Sequence, residues 1–230
     1  MSVASAAAMA GEWPKVRAVL FDLDGTFADT APDMARALNA VRRARLLEPV
    51  PLARLHPHVS NGARGMLEAG FGLKPADADF PALRDAFLEA YAREVCVDSR
   101  WFEGIAALID ELEKREIVWG IVTNKATVFT LPLLEKLGIA PPSGCVVCGD
   151  TCARAKPHPD PLLHAASLIG IAPRHCLYIG DDERDITAAN AAGMRGVVAM
   201  YGYLGAGADP STWAAAAWVN APLEIFDLLR

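Results

Sequence analysis

Two aspartates, Asp22 and Asp24, stand two residues apart where the apolar run "VRAVLF" (16–21) gives out. Three more polar groups close other apolar runs. Thr123 and Asn124 end "IVWGIVT" (117–123), Lys156 lies in "AKPHPDP" after "CVVCG" (145–149), and "GDDERD" (180–185) follows "CLYIG" (176–180). In open parallel sheets ligands bind outside the carboxyl ends of the strands, which is where each of these motifs falls. Folded together, Asp22, Asp24, Asp181 and either Asp182 or Asp185 crowd negative charge at one pole. Like charges so placed take up protons or a cation. Hard oxygen donors favour Mg2+, which keeps several waters and binds readily beside a substrate phosphate. Lys156 and Thr123 add the point charge and the hydroxyl donor that a phosphate needs. One carboxylate can then attack phosphorus, and a second can protonate the leaving alcohol and later activate water. Each motif also has a structural explanation: a turn at Asp24-Gly25, a helix N-terminus at 181–185, a solvated loop at Lys156-Pro157. Four such accidents at four strand ends are harder to accept than one site.

The elements that must position these groups are legible in the pattern. The runs at 16–21, 117–123, 145–149, 176–180 and 195–200 are continuously apolar, as strands covered on both faces are. Helical patterns separate the later runs, at 128–138, 159–170 and 183–193, with glycines at 138, 170 and 193 where helix ends belong. Strands alternating with helices predict an α/β fold, a doubly wound parallel sheet. The first gap differs. About ninety-five residues between Phe21 and Ile117 hold helical patterns at 32–47, 82–95 and 104–116 and no comparable strand. The first two, with the loop 56–72, read as an inserted helical unit. The division expected is a lead over 1–14, a core over 15–30 and 101–230, and a helical cap over 31–100.

Composition narrows the classes. In 230 residues, 53% hydrophobic content suits a globular protein with a sizeable core, and a net charge of −6 gives no basic footprint for nucleic acid. No stretch reaches the length of a membrane span. The Ala-rich start lacks the basic and apolar regions of a secretory signal and reads as a disordered lead, so the expected location is cytoplasmic. Cys145, Cys148 and Cys152 cluster with zinc-like spacing, but the first two fall three apart on a strand and face opposite ways; buried free thiols are the favoured reading. Tyr201, Tyr203 and Trp213 read as packing residues. Oligomeric state is not readable from these features.

The motifs "DLDGT", "VTNK", "KPHPD" and "GDDERD", in this order across residues 16 to about 200, resemble those of the haloacid dehalogenase-like phosphatase superfamily. The resemblance implies a Rossmann-like core with a helical cap inserted after the first motif, as in the phosphoglycolate phosphatase subfamily. By that resemblance Asp22 is the nucleophile and Asp24 the general acid/base. Thr123, Asn124 and Lys156 bind phosphate. Asp22, Asp181 and Asp185 hold Mg2+, with the backbone carbonyl of Asp24. Asp24 points to phosphoester rather than carbon–halogen chemistry, and Phe27, where leucine is commonest in the family, affects packing alone. Asp182 stands where serine is frequent, leaving open whether it or Asp185 supports the metal.

"SNGARGML" (60–67) and "YGYLGAGADPSTWAAAAWVNAP" (201–222) resemble, more narrowly, the N-acetylmuramic acid 6-phosphate phosphatases of peptidoglycan recycling. This implies a small phosphorylated metabolite as partner, with Asn61 and Arg64 facing the substrate. The alternatives carried forward are a phosphoglycolate phosphatase, a phosphomutase on the same scaffold and a catalytically inactive binding module.

Overall fold

The computed structural model describes residues 14–139 and 144–229; the lead read over 1–14 lies outside them except for Pro14. Strand β1 (Ala18–Phe21) is wholly buried and forms the centre of the sheet. Around it stand β4 (Val118–Val122), β5 (Val146–Val147), β6 (Cys176–Gly180), β7 (Arg195–Ala199) and β8 (Ala217–Val219) in the order β5-β4-β1-β6-β7-β8, every pairing parallel. The chain builds outward from β1 to β5, then returns to β6 and builds the other way. The reversal leaves a crevice at the carboxyl ends of β1 and β6, the binding position in sheets of this kind.

The alternation along β1 explains its run of apolar residues. Val19 and Phe21 enter one core cluster with α5 (Ile105–Lys114) and α6 (Thr127–Lys136). Ala18 and Leu20 enter the other, with α7 (Asp160–Ile169) and α8 (Glu183–Ala192). A strand covered on both faces has no polar side to show. Gly170 and Gly193 cap α7 and α8 in the left-handed conformation, and Gly138 lies just past α6 with φ 69°, as the sequence pattern expects. Phe27 is buried and stacks on Trp119 with ring centres 5.7 Å apart.

Two short strands, β2 (Ala28–Asp29) and β3 (Arg100–Trp101), pair antiparallel and carry the chain out of the core and back. Between them lie α1 (Ala31–Arg43), α2 (Leu52–Leu55), α3 (Gly62–Phe71) and α4 (Phe80–Arg93). Leu38, Met66, Leu67 and Phe87 from these helices pack into one cluster. Asp33, in the first turn of α1, is fully buried and accepts N–H groups from Val97, Asp98 and Ser99, so both crossings are tied to one carboxylate.

Two sequence expectations need correction. The segment 56–72 is not a loop: a 3-10 turn over His56–Asn61 runs into α3. Four glycines within 62–72 disguise that helix, since glycine is a poor helix former, and burial of Met66 and Leu67 outweighs it. The sheet also has a sixth strand, β8, beyond the five apolar runs, at the end of the four alanines at 214–217. Only three residues long, β8 carries too little pattern to be seen; its place is set by pairing with β7.

Candidate active site

The chain leaves β1 at Phe21, so Asp22 still points along the strand end, while Leu23–Ala28 close a tight turn through the Gly25 N–H and Ala28 carbonyl (2.9 Å). Gly25 has φ +86°, and a Cβ there would lie 2.3 Å from Asp181 Oδ2. Glycine is required on both counts. The turn sends the two aspartates apart. Asp22 meets Asp181 and Asp185, their carboxylate oxygens within 4.8 Å of one another. The Asp24 carboxylate instead receives Lys125 Nζ at 2.9 and 3.0 Å and the Thr30 hydroxyl at 2.5 Å. The expected crowd of four carboxylates is therefore a group of three. Asp24 contributes its side chain to the same cavity but not to that group, because strand geometry ends one residue before Asp22.

Lys156 binds the group together. Its buried ammonium donates to Asp22 Oδ1 (2.9 Å), Asp185 Oδ1 (2.7 Å) and the Tyr178 hydroxyl (2.7 Å), which in turn donates to the Val122 carbonyl. Burial works against this ammonium, but Asp185 and Asp22 outweigh it and raise its pKa. Asp181 has no such cation. Burial first, then the charges of Asp22 and Asp185, hold it well above the usual carboxylate range. Burial likewise pushes Asp185 up to about 6 even with Lys156 opposing. One ammonium among three buried carboxylates leaves a net negative pocket of hard oxygen donors. That donor set fits a divalent cation.

Asp182 does other work. It caps α8, accepting the Arg184 N–H while its own N–H donates to Asp185, and it takes the Arg184 guanidinium at 2.8 and 2.7 Å. The geometry thus groups Asp185, not Asp182, with Asp22 and Asp181. Burial raises and Arg184 lowers the Asp182 pKa, with the net shift downward.

Asn124 and Lys156 exchange two hydrogen bonds, amide to backbone, at 2.9 and 3.0 Å. The Thr123 hydroxyl accepts the Lys125 N–H. Thr123, Asn124 and Lys156 line a cavity of ≈ 380 Å3 together with Asp22, Asp24 and Asp185. Its opposite wall comes from α1, the 56–61 turn and α4. Asn61 reaches that wall, but Arg64 does not: it is exposed on α3 and absent from the lining. The helix that replaces the expected loop turns Arg64 outward. The cationic side chain that does reach the cavity from its rim is Arg184, whose Nη2 also donates to the Ser60 carbonyl at 2.8 Å.

Sequence reading passed over Lys125 and Arg184, though both sit inside motifs already quoted, and it took Tyr203 for a packing residue. Tyr203 is not merely a packing residue: its N–H donates to Asp181 (2.8 Å), and its hydroxyl accepts from the Thr30 and Ala31 N–H groups and donates to Asp29. Cys145 and Cys148 are buried free thiols, and Cys152 is half-buried.

Comparison with known proteins shows which family the chain resembles. Residues 19–199 match the pattern of the haloacid dehalogenase-like hydrolases. The chain is 42% identical over 215 residues to the N-acetylmuramic acid 6-phosphate phosphatase of Pseudomonas aeruginosa, covering 94% of this chain and 95% of that one. It is 44% identical over 211 residues to the phosphoglycolate phosphatase of Xanthomonas campestris pv. campestris, covering 92% and 95%. Among solved structures, a hydrolase from Pseudomonas syringae superposes with a TM-score of 0.71 at 26% identity, covering 93% of this chain and 97% of that one. A structure described as a predicted phosphoglycolate phosphatase from Haemophilus somnus gives 0.81 at 23% identity, covering 95% and 100%; at that identity it speaks for the fold alone.

Proposed function

The chain belongs to the haloacid dehalogenase-like hydrolases and is a phosphatase of that family, and from that premise we propose that it cleaves a small phosphomonoester through an aspartyl-phosphate on Asp22. The observation that carries the proposal is the buried ammonium of Lys156, held between Asp22 and Asp185 in the cavity.

In this reading Asp22, Asp181, Asp185 and the Asp24 carbonyl hold Mg2+. The bound ion supplies Lewis-acid neutralisation of the phosphoryl oxygens. Lys156 orients the Asp22 carboxylate and, with Thr123, meets the phosphoryl group. Asn124 keeps the Lys156 segment in register through its paired bonds. Asp22 attacks phosphorus and the alcohol departs, taking a proton from Asp24. Asp24 then draws a proton from water that attacks the acyl-phosphate, which frees phosphate and restores Asp22. The inserted helical unit, 31–100, acts as a cap that excludes bulk water during the first half of the cycle. Among the described residues no helix is long and apolar enough to cross a membrane.

For the substrate, N-acetylmuramic acid 6-phosphate is the first choice and phosphoglycolate the second, following the names of two relatives. The cavity supports the larger molecule: ≈ 380 Å3 lies in the range of small-molecule pockets and is roomy for a two-carbon acid. The test is a panel of phosphate esters with Mg2+, read as kcat/KM and as free phosphate released. A preference for the amino-sugar phosphate is expected. A clear preference for phosphoglycolate selects the second reading, and turnover without phosphate release makes the chain a mutase.

A further inference from the structure

Tyr91 lies on α4, in the wall that faces the carboxylates. It is 2% exposed, and its hydroxyl has no hydrogen-bond partner among the described residues. A buried polar group left unmatched is costly, so a native chain that keeps one invites a functional explanation. Its surroundings sharpen the question. Met34, Val59, Phe87, Leu88 and Phe129 are apolar neighbours in the cavity lining, and the polar residues of the same wall, Ser60 and Asn61, make no bond to the phenol. The ammonium of Lys125 lies 4.8 Å from the Tyr91 ring centre and donates to both carboxylate oxygens of Asp24. The ammonium has donors only, so its closeness to the phenol gives the phenol O–H no acceptor. Burial keeps the phenol protonated. Two O–H and N–H donors therefore converge on a cavity, one of them unmatched, next to the residue that faces the departing alcohol.

We propose that Tyr91 and Lys125 form a subsite for a carboxylate on the alcohol portion of the substrate. The proposal rests on the phosphatase reading and deepens it. A carboxylate presents acceptor oxygens only, so it matches the phenol O–H and the ammonium together. A hydroxyl in its place matches less well and brings no charge to offset Lys125. Discrimination is steep in such sites, because a substrate lacking the acceptor leaves buried donors unpaired. The subsite assigns to Tyr91 and Lys125 the role that the sequence suggested for Arg64.

Tyr91→Phe removes one oxygen and nothing else. The experiment compares two substrate pairs, phosphoglycolate with 2-hydroxyethyl phosphate and 3-phosphoglycerate with glycerol 1-phosphate, in which a carboxylate replaces a hydroxymethyl group. The expected result is a fall of tenfold or more in the carboxylate-to-alcohol ratio of kcat/KM for at least one pair. Tm should be equal to or above that of the parent, since the lost hydroxyl satisfied nothing. Calorimetric binding of the same esters to Asp22→Asn and to Asp22→Asn/Tyr91→Phe reads the preference without turnover. Ratios unchanged within twofold in both assays, or a Tm fall of several degrees, overturn the subsite. A parent protein that binds the esters with a Tyr91-dependent carboxylate preference but hydrolyses none leaves the subsite standing and removes the phosphatase reading.

Discussion

The Tyr203 hydroxyl accepts the backbone N–H of Thr30 at 2.7 Å, joining the loop after β7 to the residue where the chain turns into α1. The same oxygen accepts the Ala31 N–H and donates to Asp29. Helix N-termini leave N–H groups without intrahelical partners, and Thr30 makes no side-chain cap here. Tyr203 takes over that task from 173 residues away. Tyr203→Phe leaves the buried Thr30 N–H without its acceptor, while the Ala31 N–H keeps Asp29, and is expected to cost about 1–3 kcal/mol. At about 2–4 °C per kcal/mol for a chain of this size, thermal denaturation should show a clear fall in Tm. An unchanged Tm would show that the phenol oxygen is dispensable.

Asp33→Ala should be more damaging. Its carboxylate accepts three backbone N–H groups and the Ser99 hydroxyl, all from the segment that leads back into β3, and Arg36 pairs with it. Removing it leaves those donors unpaired inside the protein, at an expected cost of about 3–5 kcal/mol. Urea unfolding of the variant measures this, and a loss below 1 kcal/mol contradicts it.

Asp22→Asn is expected to abolish turnover while the protein keeps a native near-ultraviolet circular dichroism spectrum. Lys156 retains Asp185 and Tyr178, so its charge stays paired. Near-parental activity would move the nucleophile elsewhere.

Metal and protons should compete for the carboxylate group. The folded pKa of Asp185 is raised to about 6, and that of Asp181 is raised further by burial and by its charged neighbours. A raised carboxylate pKa contributes stability that is full below the unfolded value and lost as pH rises through the folded one. The metal-free protein should therefore lose stability from about pH 4 to pH 6 through Asp185. Mg2+ acts on the deprotonated group, so its stabilising shift in Tm should be larger at pH 7 than at pH 5. Equal shifts at both pH values count against the site. Activity should vanish on exhaustive chelation and return with Mg2+, with Ca2+ a poor substitute because it takes more ligands at longer distances.

The thiols should separate by burial. Cys145 and Cys176 are buried, and burial raises each to about 11. Cys96 and Cys152 are half-buried. Iodoacetamide at pH 8 should label Cys96 and Cys152 first, because the thiolate is the reactive form and needs access. Mass spectrometry after timed quenching reads the order; early labelling of Cys145 or Cys176 would refute it.

What the sequence determined by itself is what local pattern and order encode. The continuous apolar runs marked the strands at the centre of the sheet, because a strand buried on both faces has no polar side. The motifs at their ends marked one pole, because parallel strands all end on the same side. From these came the α/β fold and the expectation that Asp22, Asp24, Lys156, Asp181 and either Asp182 or Asp185 share one pole; the structure takes Asp24 out of the carboxylate group and puts Asp185 in it. The tertiary structure decided what depends on distant partners. Lys125 finds Asp24 across 101 positions, and Tyr203 finds Thr30 across 173; nothing near either residue in the chain announces the pairing. Arg64 faces outward because it lies on the exposed side of α3, a helix its glycines disguise in the sequence, and Arg184 reaches the cavity because Asp182 and Ser60 hold its guanidinium there. The unmatched hydroxyl of Tyr91 is the clearest case. In sequence it is one more aromatic on a helix face, and only the packed wall around it shows that the oxygen has no partner, since burial and satisfaction are properties of the assembled chain rather than of any stretch of it.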